Sequence, residues 1–126
     1  MYKRQLERST TQTLNEELKF KASIVHLILN GKTEEAIKLL SEHYKVPIPK
    51  IRIGMPKGNL KNAACYVQKT KTIHFQKRET FQNPFVVLHE FYHHLRMSTD
   101  MHGGIEKNAD KFAENFIKAY KYAKML

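Results

Sequence analysis

The chain has 126 residues, of which 41% are apolar and 27% charged, the composition of one soluble globular domain with a modest core rather than a disordered or fibrous chain. Lys and Arg number 22 against 12 Asp and Glu, a formal charge of +10; this favours acidic partners and makes nucleic-acid contact a consequence of charge alone, although the basic residues form no arm or block. A single cysteine excludes an internal disulfide, no run reaches the ~18–20 apolar residues of a membrane span, and the N-terminal MYKRQLERSTTQT lacks the apolar stretch of a secretory signal, so a cytoplasmic protein without a membrane partner is expected.

Residues 1–11 are polar and charged, either a frayed end or the first turn of a helix. From Thr13 the spacing of Leu14, Leu18, Ala22, Val25 and Ile28/Leu29 predicts a helix, stopped by Asn30-Gly31. Thr33 is expected to cap a second helix, with Glu34 and Glu35 in its first turn and Ala36, Ile37, Leu39, Leu40 and Tyr44 on its apolar face. His26 reads as a helix-surface residue, and His43 as a partner of the helix C-terminal dipole.

Val46-Pro47-Ile48-Pro49 cannot continue a helix and leads to a short strand at 51–53. A Gly- and Pro-containing loop over 54–59 follows, then strands at 63–68 and 72–76 joined by a tight turn near 69–71. Ile73 and Phe75 alternate with Thr72 and His74, so His74 faces away from the core. Cys65 lies in the apolar run Ala63-Ala64-Cys65-Tyr66-Val67 and reads as a core residue. Residues 77–82 form a link.

The next stretch, NPFVVLHEFYHHLRM over 83–97, carries the chemistry. Asn83 is a good N-cap and Pro84 suits the first helical position, where its missing N–H costs nothing. Val87, Leu88, Phe91, Tyr92 and Leu95 recur at helical spacing. Within the helix, His89-Glu90-Phe91-Tyr92-His93 matches H-E-x-x-H. Residues four apart share a helix face, so His89 and His93 can present two imidazoles to one Zn²⁺. Glu90 lies about 100° round the helix, too far to join them as a ligand, but within reach of water at the metal as a general base. His94 likewise points about 100° from His93 and cannot share the metal.

After a break at 98–104, Ile105, Ala109, Phe112, Ala113, Phe116, Ile117 and Tyr120 predict a final helix of about 18 residues. The resulting layout is α+β: two N-terminal helices, a small three-stranded antiparallel or mixed sheet, and the H-E-x-x-H helix packed against the C-terminal helix, all in one domain over 1–126.

A catalytic zinc usually keeps three protein ligands and one open position. Arg96 and Thr99 occupy the places where a third His would complete H-E-x-x-H-x-x-G-x-x-H, which excludes that class. Two candidates remain. Glu106 shares a helix face with Asp110, so that Glu106 can bind the metal while Asp110 accepts the N–H of a ligand His and fixes its tautomer. The other candidate is His102, beside Gly103-Gly104.

His89-Glu90-x-x-His93 followed by Glu106-x-x-Ala109-Asp110-x-Phe112-Ala113 resembles the gluzincin metallopeptidases, and in detail is similar to ImmA/IrrE-type domains and to the small archaeal minigluzincins. The resemblance implies a minimal zincin-like fold binding one zinc per chain. His89, His93 and Glu106 would be the ligands and Glu90 the base of a peptide-hydrolysing enzyme. ImmA/IrrE-type proteins cleave helix-turn-helix repressors, which implies a peptide or protein substrate, with a DNA-binding regulator among the candidates. Minigluzincins can be held inactive by their own termini, which would assign latency here to residues 120–126.

A metallopeptidase also needs a donor to the tetrahedral oxyanion, or other substrate contacts, and Tyr66, Tyr92, Arg96 and His102 are the candidates. An exposed sheet edge, at 51–53 or 63–68, is expected to hold the substrate peptide. Two alternatives stand beside this reading. One is a SprT-like, DNA-associated peptidase with His102 as third ligand, and the other a basic nucleic-acid-associated protein with a non-catalytic zinc site. Oligomeric state is open.

Overall fold

The structure is a computed structural model that describes residues 2–99 and 104–125, with side chains from Gln12 onward. Five helices and three strands follow one another as α1 (Tyr2–Leu29), α2 (Thr33–Tyr44), β1 (Lys50–Ile53), β2 (Ala64–Val67), β3 (Thr72–Phe75), α3 (Arg78–Phe81), α4 (Pro84–Ser98) and α5 (Glu106–Met125). The fold is α+β, as expected. The link at 77–82 contains a short helix that periodicity cannot reveal in so few residues: the Lys77 N–H donates to Thr80 Oγ1 and starts the turn of α3.

The first helix is longer than its apolar pattern. Among its described side chains Ile24, Val25 and Ile28 are fully buried, whereas Leu14 and Leu18 stay exposed. Gly31, with φ of 77°, turns the chain, and the Lys32 N–H donates back to the Leu27 carbonyl. Thr33 is not the cap of α2. It is the first helical residue, Lys32 holds the cap position, and the buried Thr33 hydroxyl donates to the Phe81 carbonyl 48 positions on. That bond ties α2 to α3 at the start of the site helix. His43 stacks on Phe20 with ring centroids 4.0 Å apart, a contact between α1 and α2 beyond any role at the helix dipole.

Lys45, in the left-handed region at φ 57°, ends α2 and turns the chain into the sheet. The sheet is mixed, in the order β1-β3-β2, with β1 parallel and β2 antiparallel to β3. The turn at 68–70 is a 3₁₀ segment closed by Lys71 in the left-handed region. Ile73 and Phe75 are buried on the sheet's inner face, against Val87, Leu88 and Phe91 of α4. His74 lies on the other face, bonded to the Gly54 carbonyl. In the antiparallel ladder the Gln76 N–H donates to the Ala63 carbonyl. By the alternation of such ladders Cys65 and Val67 also pair inward, so Ala64 and Tyr66 turn their backbone N–H and C=O groups outward along the free edge of β2. Among the described residues no helix is long and apolar enough to cross a membrane.

Candidate metal centre

Helix α4 starts as its sequence dictates: Asn83 Oδ1 accepts from the N–H groups of Phe85 (3.0 Å) and Val86 (3.3 Å), and Pro84 occupies the first turn. From this fixed start, Val87, Leu88 and Phe91 face the core, and His89, Glu90, His93 and Met97 face an open cleft of about 700 Å³. The opposite wall of the cleft is the edge strand and its approach, Asn62 to Tyr66 with Gln68, while Glu106 and Asp110 close one end. The volume is in the range of ligand-sized sites.

The first turn of α5 meets α4 here. Its carboxylate at Glu106 lies 2.7 Å from His89 Nε2 and 2.9 Å from His93 Nε2, one oxygen to each ring. One ligand atom from each of the three residues lies within 4.8 Å of the others. On its far side His89 Nδ1–H donates to Asp110 Oδ1 at 2.9 Å. A neutral imidazole carries a single N–H. With that proton committed to Asp110, the Nε2 lone pair of His89 faces a carboxylate oxygen, and two acceptors so close call for a positive centre, a second proton or a metal ion. Two ligands at ~2.0–2.1 Å from a tetrahedral zinc stand roughly 3.3 Å apart, so each His–Glu106 pair would open by about half an ångström to admit one. Two imidazoles and a carboxylate, one imidazole backed by a second carboxylate, are thus a donor set that fits zinc.

Glu90 sits in the same cleft. Burial pushes its carboxyl above the usual carboxylate range; His89 and His93 pull it down and the charge of Glu106 pushes it up. The net effect is a carboxylate with enhanced proton affinity beside the cluster, which is what a proton acceptor needs at neutral pH.

The remaining candidates divide. Tyr66 lines the cleft, but its hydroxyl is engaged by the residue next to His93. His94 is fully buried; its Nε2–H donates to the Pro47 carbonyl (2.7 Å), which leaves Nδ1 to accept from the Tyr66 hydroxyl (2.9 Å). Burial pushes the His94 imidazole below its usual value, against the raising effect of the Pro47 bond, and Lys71 lowers it further. A tyrosine whose only hydroxyl proton points at a buried imidazole offers the cleft its lone pairs, not a donor. Tyr92 and Arg96 do not line the cleft. Tyr92 packs against Phe112 and over Gly104, where a β-carbon would fall 2.7 Å from its ring, and Gly104 itself has φ of 73°. Both conditions favour glycine at this position, two residues before Glu106. His102 lies outside the described residues.

Cys65 corrects its sequence reading. It is half-buried in the cleft wall rather than in the core, and its thiol is raised first by burial and then by Glu90. Its apolar neighbours concealed this, because both faces of an edge strand can be apolar when one lines a cleft. The role of His94 was legible in principle. It continues the Val87, Phe91 spacing of three and four, and only its polar identity set it apart from the core stripe. The terminal residues 120–125 continue α5, and none lines the cleft. No family model, no curated protein and no solved structure matches this chain.

Proposed function

We propose that the chain is a zinc-dependent peptidase whose centre is built from His89, His93 and Glu106, with Glu90 as general base. The observation that carries this reading is the convergence of three donor atoms within 4.8 Å in a cleft that Glu90 also lines. The order His-Glu-x-x-His then Glu-x-x-Ala-Asp, which resembles the gluzincins, ImmA/IrrE-type domains and minigluzincins, supports it. A bound zinc ion supplies Lewis acidity and makes water more acidic.

The chain's own residues do the rest. Asp110 holds His89 in the tautomer that turns Nε2 to the cluster. Glu90 takes a proton from the attacking water and returns it to the leaving amine. The outward backbone groups of Ala64 and Tyr66 offer an extended peptide the hydrogen bonds of an added strand, and β2 is favoured over β1 because β2 forms the cleft wall. Tyr66 then serves as an acceptor for a substrate N–H, and oxyanion stabilisation falls to the metal and to groups other than Tyr66.

Elemental analysis of the purified chain tests the centre: about one zinc per chain is expected. Glu106→Ala is expected to lose that zinc and His102→Ala to keep it, and the reverse would favour the SprT-like alternative. Glu90→Gln should retain zinc and lose peptide hydrolysis, measured on a denatured protein substrate, by at least roughly a hundredfold. Full activity in Glu90→Gln would remove the base from the scheme.

A further inference from the structure

Between His43 and Arg78 the chain holds nine Lys and Arg and not one Asp or Glu, whereas the other 90 residues hold 13 basic and 12 acidic side chains. Almost all of the net charge of +10 is therefore carried by 36 residues, and in the fold these are the sheet and its connections. None of the nine cations forms an ion pair among the described residues. Two of them, Lys61 and Lys69, are exposed and bracket the run 62–68 that forms the sheet-side wall of the cleft. The other side of the cleft is the reverse: Glu90, Glu106 and Asp110 stand along α4 and α5.

We propose that the cleft selects acidic peptides: a chain lying along β2 carries its carboxylates several residues to either side of the cluster, over Lys61 and Lys69, and uncharged residues at the cluster itself. The proposal rests on the peptidase reading of the cleft and specifies its substrate. Carboxylates at the centre would meet Glu90 and Glu106, while carboxylates over the rim meet cations that have no partner of their own. A nucleic acid is the less suitable occupant. Single strands bind through stacking platforms beside a basic groove, and the aromatic residues of this segment are committed elsewhere. Phe75 is buried, Tyr44 packs on Phe91 and Phe112, and Tyr66 is tied to His94.

The test measures fluorescence anisotropy of three peptides of equal length and identical apolar centre, flanked by Asp/Glu, by Ser or by Lys, with a single-stranded oligonucleotide of the acidic peptide's charge as a fourth ligand. The chain is stripped of metal with a chelator so that no hydrolysis intervenes, and the titrations are repeated after zinc is added. The acidic peptide is expected to bind about tenfold tighter than the Ser peptide at low salt, the scale set by two exposed ion pairs. The preference should shrink as salt rises from about 50 mM to about 500 mM. Lys61→Glu with Lys69→Glu should abolish or invert it, while Lys118→Glu with Lys121→Glu on α5, the same change in net charge, should leave it in place.

Equal binding of the three peptides overturns the proposal. So does a preference that the α5 pair removes as well as the rim pair, or tighter binding of the oligonucleotide than of the acidic peptide. The two readings fail separately. An acidic preference in a chain that holds no zinc defeats the metal centre alone, and a zinc-loaded, active chain that binds all three peptides alike defeats the charge selection alone.

Discussion

The two faces of α4 use the same side chain for opposite ends. His89 and His93 keep their rings in the cleft, within hydrogen-bonding distance of Glu106, a residue whose side chain is 76% exposed. His94, one position further on, is 0% exposed and spends both nitrogens on the protein, one on the Pro47 carbonyl and one on Tyr66. One face therefore gathers two imidazoles and a carboxylate in an open cleft, and the other holds a ring whose two nitrogens are both matched within the protein. A polar residue in a core is tolerated when every one of its hydrogen-bonding groups is matched, and His94 meets that condition. What the difference teaches is that histidine content alone says little about metal binding. The partners of each nitrogen decide.

Single substitutions should pull the two faces apart. His93→Ala is expected to abolish zinc binding while the chain stays folded, because His93 is not a core residue; elemental analysis and circular dichroism check the two halves of the statement. His94→Ala should do the opposite. It leaves a cavity and strips the Tyr66 hydroxyl and the Pro47 carbonyl of their partner, a loss of about 2–4 kcal/mol in denaturant unfolding, with zinc content retained. If His94→Ala lost its metal and kept its stability, the division of labour on α4 would be wrong.

A smaller effect sharpens the cleft face. Asp110→Ala removes the acceptor that orients His89, and zinc affinity in a competitive chelator titration should fall by roughly 10–100-fold with little change in stability. The smallest effect belongs to the core face. Burial holds His94 below its ordinary value, so in acid the unfolded chain takes up a proton, near about pH 6.5, that the folded imidazole refuses. The unfolded state then binds more protons, and stability falls as pH drops below about 6.5, the contribution being fully present above that value. Denaturant midpoints at pH 7.5 and pH 5.5 should differ less in His94→Gln than in wild type. An unchanged difference would mean that other groups carry the slope.

Much of this arrangement was legible in the residues. The Asn83-Pro84 start, the H-E-x-x-H spacing and the Glu106–Asp110 pair each state a local geometry, and local geometry is what periodicity and capping encode. The strand at 72–76 also announced itself through alternation, and the strands at 51–53 and 63–68 through the Pro- and Gly-containing segments that flank them. What escaped was long-range. Nothing near Thr33 says that its hydroxyl will meet Phe81 rather than cap its own helix. The start of α1 ahead of Thr13 has no apolar signature, and the parallel pairing of β1 with β3 is set by the crossover, not by either strand. Cys65 and Tyr66 could be placed on a strand, but whether that strand would line a cleft depended on α4 lying beneath it. The absence of acids from the sheet segment was visible all along as a pattern of omission, which a search for runs of basic residues passes over.

Gly104 has a consequence for how such a chain can drift under selection. It contributes no core side chain and no charge, yet a backbone at φ of 73° and the ring of Tyr92 where a β-carbon would stand disfavour every residue with a side chain unless that ring moves. A lineage that keeps the tyrosine in this position is expected to keep the glycine, and one that enlarges residue 104 to move or shrink residue 92. The two positions are expected to change together or not at all, so that a residue with no chemistry of its own is tied to a partner as closely as Glu106 and Asp110, which follow it, are tied to His89.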